Sequence, residues 1–295
     1  MPKPTANYRQ PAKKAYSTGN SKLKSALPFT ALCSKHIGAF ALYAVFCLLI
    51  LWLIIQGAAG SGYFWQWFRI ERVFLLSEDG SFFNSPLCLG LGMTLRIGAV
   101  SLLLALGIAI LTTALRLAGG PVALALSVSY VQLIRNTPLL VQILFMYFVI
   151  APVTGIESAE LSAIIALSLF EGAYMSEIIR AGVLTIPRAQ YEAGLSLGLG
   201  PVQSAQAVIL PQTLRNCMPP LLNECITLIK NTSLASVISV SELTFKGKMA
   251  VSSTFMSLEI WLTIAAVYLC LSLFLSFIAM LLRQRLNRGF TVQAP

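Results

Sequence analysis

Glu192-Ala193-Gly194-Leu195-Ser196-Leu197-Gly198, followed nine residues later by Val208-Ile209-Leu210-Pro211, is a polar stretch set between strongly apolar segments. Gly198-Leu199-Gly200-Pro201 breaks it in the middle and Pro211 closes it. Glycine tolerates the backbone angles of a turn, and proline lacks the N–H that a continuing helix needs. The expected product is two short helices joined by a Gly turn, lying outside the bilayer and shaped to touch another protein.

The chain around this hairpin is built for lipid. It has 295 residues, 57% hydrophobic and 11% charged, with a mean hydropathy of +0.78. That leaves too little polar surface to coat a soluble globule of this size, so the chain reads as an all-α, polytopic integral membrane protein. A bilayer core of roughly 30 Å needs about 20 apolar residues per helix. Six runs meet that length: 37–55, 97–115, 121–150, 161–183, 221–240 and 260–282. Arg96 and Arg116 flank the second and are expected to snorkel to opposite interfaces. The third run, about 45 Å long at ~1.5 Å per residue, exceeds the hydrocarbon thickness. Its first third is therefore expected at the interface, with Arg135 near the cytoplasmic edge and a kink at Pro138.

The net charge of +10 does not point to nucleic acid, because of where the charge falls. Seven of the 21 Lys and Arg lie in the first 35 residues, and Arg283, Arg285 and Arg288 close the chain. Both ends carry the positive-inside signature, and an even number of spans places both termini in the cytoplasm. Segments 58–87, 155–160 and 241–259 then lie outside, and 184–218 inside. The basic, Pro- and Ser-containing start reads as a tail followed by an anchor rather than a signal peptide, whose apolar core would stand nearer residue 1.

Much chemistry is excluded. There is no GxxxxGK[ST], so any ATP used must be bound by another chain. HExxH and GxSxG are absent, and His36 is the single histidine, which leaves no basis for hydrolysis or a metal site. The six cysteines show no CxxC and read as packing residues. Asn231-Thr232-Ser233 matches a glycosylation sequon by chance, since it lies inside an apolar run. No cofactor is expected.

Glu192-Ala193-Gly194, then Gly198, then Val208-Ile209-Leu210-Pro211 resembles the cytoplasmic loop of the permease family of ABC importers: Glu-Ala-Ala, three residues, Gly, nine residues, Ile-x-Leu-Pro. Two positions depart, Gly194 for the second Ala and Val208 for Ile. Gly194 costs about 1 kcal/mol of helix propensity and is expected to loosen the hairpin. Three further segments are similar to the polar amino-acid uptake branch: Arg135-Asn136-Thr137-Pro138-Leu139-Leu140-Val141-Gln142; Gly172-Ala173-Tyr174 through Glu177 to Arg180-Ala181-Gly182; and Leu228-Ile229-Lys230-Asn231-Thr232-Ser233-Leu234-Ala235-Ser236. The resemblance covers roughly 90–285 and departs from the family in an extra N-terminal span. It divides the chain into a basic cytoplasmic tail (1–36), the extra helix (37–57), an outer loop (58–89), the permease domain (90–285, coupling loop 187–211) and a short cytoplasmic tail (286–295).

The resemblance implies an inner-membrane subunit of a bacterial amino-acid importer that performs no covalent chemistry itself. It also implies ATP-binding subunits, an extracytoplasmic substrate-binding protein and a second permease copy or homologue as partners. Glu192, Ala193, Gly194, Gly198, Leu210 and Pro211 would contact the ATP-binding subunit. For the translocation path, charges inside apolar runs are the markers, since they are costly unless they face a wet cavity. Lys230 stands near the middle of the fifth run, followed by Asn231, Thr232 and Ser233. It suits the carboxylate of a zwitterion, with hydrogen bonds from its neighbours as water is shed. Arg135, Asn136, Thr137, Tyr174 and Glu171 complete the candidate path. A rival assignment pairs Lys230 with Glu171 as a structural bridge. Glu177 and Arg180, spaced i,i+3, can pair on one face, and Glu224 can snorkel. The alternative function is an ion-gradient-driven secondary transporter, with inverted repeats as its sign, and a non-transporting scaffold has no use for the buried polar clusters.

Overall fold

The computed structural model describes residues 42–50, 52–53, 56–57, 60, 62–76 and 80–287. The chain divides into two units, one ending at Phe64 and the other beginning at Trp65. In the first, 42–50 are helical, with Leu42, Tyr43 and Val45 exposed; the rest of the expected anchor and the basic tail fall largely outside the described residues.

In the second unit every regular element among the described residues is helical. Its elements are α1 (Trp67–Ile70), continuing as a π turn to Leu75; α2 (Pro86–Ala118); α3 (Pro121–Arg135); α4 (Leu139–Phe145), continuing through a π turn into α5 (Ala151–Thr154); α6 (Ala159–Leu184); α7 (Arg188–Ser196); α8 (Pro201–Ser204); α9 (Leu210–Asn231), continuing as a 3-10 helix to Ile238; α10 (Leu243–Thr254); and α11 (Ser257–Asn287). Local chemistry sets the ends. Ser85 Oγ accepts from the Cys88 N–H and Ser158 Oγ from the Leu161 N–H, each filling an orphan donor of a first turn.

Among the described residues, three helices are long and apolar enough to cross a membrane: Pro86–Leu117, Ala159–Leu184 and Ser257–Arg285. The pair Pro121–Arg135 and Leu139–Thr154, bent by 106°, makes a fourth when taken as one broken span. The expected fifth run is not among them. Its helix starts at Leu210, not near 221, and carries Gln212, Thr213, Arg215, Asn216, Asn223 and Glu224 along its length.

The frame is the parallel pair α2 and α6. Ser168 Oγ donates to Ile164 O at 2.6 Å and Ser101 O at 3.3 Å, and Thr113 Oγ1 donates to Ser176 O at 3.0 Å. Ala105, Ala109, Ala173 and Ser176 are buried along the seam. A Cβ at Gly172 would come within 2.8 Å of Ile108 Cγ2 and 3.3 Å of Ala105 O. Small residues thus let two backbones approach closely, the arrangement that substitutes for a hydrophobic drive between helices in lipid.

Arg96 and Arg116 each pair with an α6 acid across this seam, Arg96 with Glu160 at 3.3 Å while its side chain stays largely exposed, and Arg116, which is shielded, with Glu177.

At the opposite end from the hairpin, Glu242 caps α10, accepting from the Thr244 and Phe245 N–H groups at 2.9 and 2.8 Å and from Tyr268 Oη at 3.0 Å. The Gln66 N–H donates to Glu259 Oε1 at 2.6 Å. Both carboxylates are fully buried. The segment expected as an outer loop therefore carries helical turns whose Ile70 and Phe74 share a core with Leu243, Met256 and Ile260.

Candidate functional site

The polar hairpin forms, with one change of outline. Helix α7 ends in two bonds, Gly198 N–H to Leu195 O at 2.9 Å and Leu199 N–H to Gly194 O at 3.2 Å. Gly198 sits at φ +83°, the left-handed position that such an ending requires. Pro201 then opens α8, and Gln203 Oε1 accepts from the Gly200 N–H at 2.9 Å.

Pro211 does not stop the second arm. Residues 201–231 run as one continuous helical stretch, with a π segment at Ala205–Ile209. Pro211 stands just past that π segment, where the helical ladder is already irregular.

Nor does Gly194 loosen the hairpin. It is buried, and a Cβ there would run into Ser204 Oγ, whose hydroxyl donates to Tyr191 O at 3.2 Å. The two arms touch through the missing side chain. Glu192, Ala193, Leu195, Leu197, Val202, Leu210 and Pro211 remain exposed, giving the projection an apolar tip with one carboxylate. A hollow of about 930 Å3 separates its base from the ends of α2 and α6, lined by Leu117, Val183, Ile186, Tyr191 and Ile209.

Within the bundle, the candidate polar residues fall into two groups one turn apart on α6. In the first, Asn231 Nδ2 donates to Glu171 Oε1 at 2.9 Å. Glu171 is fully buried, its Oε2 has no hydrogen-bond partner, and the Glu224 carboxyl lies beside it. In the second, the Arg135 guanidinium stands 5.1 Å from the Tyr174 ring centroid, and Tyr174 packs on Phe170 at 4.9 Å. A cation over an aromatic face is held there by the ring quadrupole. This contact places Arg135 against the middle portion of α6, because α3 leans on α6, with Tyr130 Oη donating to Leu169 O at 2.6 Å.

The 106° break after Arg135 is fully furnished. Gln142 Nε2 donates to Ile134 O at 2.8 Å, Thr137 O at 3.1 Å and Thr137 Oγ1 at 2.7 Å. Asn136 Nδ2 donates to Gln132 Oε1 at 3.1 Å. Asn136 and Thr137 thus shape the bend that carries Arg135, and Gln142 is the residue whose part in it was not foreseen.

Lys230 does not pair with Glu171; the neighbouring Asn231 takes that place, and Lys230 is exposed in the last turn of α9. One residue turns a helix by about 100°, so only one of the two can face α6. Thr232 is buried with Oγ1 donating to Ile229 O at 2.7 Å, and Ser233 Oγ donates to Lys230 O at 2.7 Å. Closer to the hairpin, Glu177 holds both Arg180, at 2.9 Å, and Arg116. Arg116 was the missed member, since its acid lies on another helix. Of the cysteines, Cys217 is buried against Gly182 whereas Cys270 is exposed on α11.

Residues 105–291 match the family described as binding-protein-dependent transport system inner membrane component. The chain is 39% identical over 200 residues to the glutamine transport system permease protein GlnP of Escherichia coli (strain K12), covering 67% of this chain and 91% of that one. It is 43% identical over 161 residues to the L-cystine transport system permease protein TcyB of Bacillus subtilis (strain 168), covering 54% and 68%. Among solved structures it is similar to an amino acid ABC transporter crystallised with histidines, with a TM-score of 0.65, 30% identity, and coverage of 68% of this chain and 94% of that one.

Proposed function

The chain belongs to the binding-protein-dependent transport system inner membrane components, and from that membership we propose that it is the permease subunit of an ABC importer for polar amino acids. It is a multi-pass inner-membrane transport component, and ATP hydrolysis lies in separate subunits. ATP-binding subunits and a substrate-binding protein are its partners, and a second permease copy or homologue completes the pathway. Residues 90–285 form the transport domain, with both termini cytoplasmic.

The observation that carries the reading is the hairpin. A stiff two-armed projection, closed by the Gly198 turn and tipped with Glu192, Leu195, Leu197 and Val202, has the form needed to seat in a groove of a moving partner. Closure of the ATP-binding subunits around nucleotide drives the hairpin, and the bundle alternates between inward and outward openings. Glu171, Asn231, Arg135 and Tyr174 line the path of the substrate, with Lys230, Asn136, Thr137, Thr232 and Ser233 at its margins. Carboxylate, amide and guanidinium together suit the ammonium and carboxylate of an amino acid.

The test is reconstitution in vesicles with the ATP-binding subunits and the binding protein. Uptake is expected with ATP and lost without it, and a cysteine at Glu192 is expected to crosslink to the ATP-binding subunit. Accumulation in vesicles lacking every ATP-hydrolysing chain overturns the proposal in favour of ion coupling.

A further inference from the structure

Two carboxyls meet between α6 and α9 with no cation to balance them. Glu171 is fully buried, with Oε1 accepting from Asn231 Nδ2 at 2.9 Å and Oε2 left without a hydrogen-bond partner. The Glu224 carboxyl lies beside it. Glu224 and Asn231 stand seven residues apart on α9, two turns along one face at about 3.6 residues per turn, so both are presented to α6 together. Met175, one turn on from Glu171, and Cys225, next to Glu224, pack in an apolar cluster with Ala105, Ala109 and Leu221.

The ionisable groups of the surrounding helices do not neutralise this pair. Helix α2 carries none between Arg96 and Arg116, and those two are held by Glu160 and Glu177. On α6, Glu177 is taken by Arg116 and Arg180, and the Tyr174 ring faces Arg135 of α3. Tyr130 of α3 donates to Leu169 O. Helix α4 has no ionisable residue, and α11 meets α9 here through Leu275, Ile278 and Ala279. On α9 itself, Cys225 adds a thiol, Arg215 lies nine residues back toward the hairpin, and Lys230 is exposed in the last turn. Among the described residues, neither Glu171 nor Glu224 forms an ion pair. Two neighbouring carboxylates without a cation, one of them fully buried, cannot both stay ionised. A water donating to Glu171 Oε2 would satisfy that atom and leave the repulsion in place, whereas a proton removes both faults, since a protonated carboxyl is itself a donor.

We infer that Glu171 and Glu224 hold one proton between them in the absence of substrate, and that the ammonium group of the amino acid displaces it. The second half rests on the proposed importer reading, with this pair on the substrate path. The exchange balances: the ammonium enters, one proton leaves the carboxyl pair for water, and the pair with its occupant keeps one net negative charge in both states. An ammonium brings three donors, enough for Glu171 Oε2 and for Glu224, where the shared proton is a single one. Glu224, expected from the sequence to snorkel, thereby becomes part of the site that recognises the amino group.

The test is infrared difference spectroscopy on the full chain assembled with its ATP-binding subunits in nanodiscs. Wild type without amino acid is expected to show a protonated-carboxyl stretch that shifts in D2O. The stretch should vanish in Glu171→Gln and, because the new amide donates in place of the proton, in Glu224→Gln as well. L-Glutamine, L-histidine and L-arginine are then added in turn to wild type, a measurement that needs no variant to fold. At least one should remove the stretch, and the N-acetyl derivative of that amino acid, which has no ammonium, should not. With one proton displaced, the half-saturating concentration should fall about tenfold per unit rise in pH while the unoccupied pair stays protonated. Absence of the stretch in wild type overturns the inference, and so does its survival in Glu224→Gln, which would make it a property of Glu171 alone. A stretch unmoved by all three amino acids overturns it too. Uptake that proves independent of ATP in the vesicle assay overturns the importer reading alone, and the loss of the stretch on amino-acid addition would stand.

Discussion

Replacing Gly194 by Ala restores the residue usual at this point of the family loop, and simple propensity predicts a gain of about 1 kcal/mol. The structure predicts a loss. The new Cβ runs into Ser204 Oγ and stands 3.2 Å from Ser204 Cβ and 3.5 Å from Val208 Cγ2. Relieving the first contact swings Oγ away from Tyr191 O, giving up a 3.2 Å hydrogen bond and about 1 kcal/mol, which cancels the propensity gain. What remains is overpacking between the two arms, about 1–3 kcal/mol. Hydrogen exchange on the assembled transporter reads this directly: the Leu197, Leu199 and Ser204 amides should exchange about ten- to a hundredfold faster in Gly194→Ala. Ser204→Ala removes Oγ, so in the double variant the penalty should shrink, with a coupling of at least about 1 kcal/mol between the two sites. Slower exchange in Gly194→Ala, or strictly additive effects, would refute the argument that the arms interlock through the missing side chain.

Three further outcomes follow from the same geometry. Lys230→Met should abolish amino-acid uptake while leaving the complex assembled and basal ATP hydrolysis measurable, whereas Asn231→Ala should also lower the thermal midpoint by stranding Glu171; normal uptake by the Lys230 variant removes that residue from the path. Arg116→Gln should destabilise the complex by about 1–3 kcal/mol, more than an exposed pair would, since its partner Glu177 is shielded on α6; an unchanged midpoint in detergent would show the pair to be ornamental. Pro219→Ala and Pro220→Ala each restore a helix donor inside α9 and should raise the midpoint, by up to about 3 kcal/mol of helix stability, while slowing turnover in vesicles. Faster turnover would contradict the assignment of flexibility to this point.

The hairpin was legible because its determinants are local. Gly198 and Pro201 specify a turn wherever they stand, and the bonds at Leu195 and Gly194 merely execute it. Pro211 was misread for the same reason that it was visible. A proline ends one helix or opens another with equal ease, and only the run of α9 beyond it decides which. The apolar runs were legible as spans, but their facing was not. Asn231 and Lys230 are adjacent, and which of them meets Glu171 depends on the rotation of α9 about its axis, information held in packing 60 residues away. Arg116 failed in the same way: a cation at the end of an apolar run suggests an interface until the register of α2 on α6 supplies Glu177. Glu242 and Glu259, in the segment read as an outer loop, are both buried: Glu242 caps its own helix through the Thr244 and Phe245 N–H groups, whereas Glu259 accepts from the Gln66 N–H, far away in sequence.

Helix α6 runs unbroken from Ala159 to Leu184 and carries a polar contact at nearly every level: Glu160 to Arg96, Ser168 to Ser101, Glu171 to Asn231, Tyr174 to Arg135, and Glu177 to Arg116 and Arg180. Only Thr185, Ile186 and Pro187 separate it from α7. Locked to α2 by backbone-length contacts, it can move only as a rod. The other arm of the hairpin leads into α9, where Pro219 and Pro220 bring no N–H to the helix ladder and soften the middle of the helix. Under the proposed coupling, a displacement of the hairpin reaches Glu171 through a stiff member and Asn231 through a compliant one. The two ends of that 2.9 Å hydrogen bond therefore cannot follow the hairpin equally, and the polar pair opens or closes with it. Its position across the stiff and the flexible helix, more than its charge, is what suits it to a substrate that must be held in one state and released in the other.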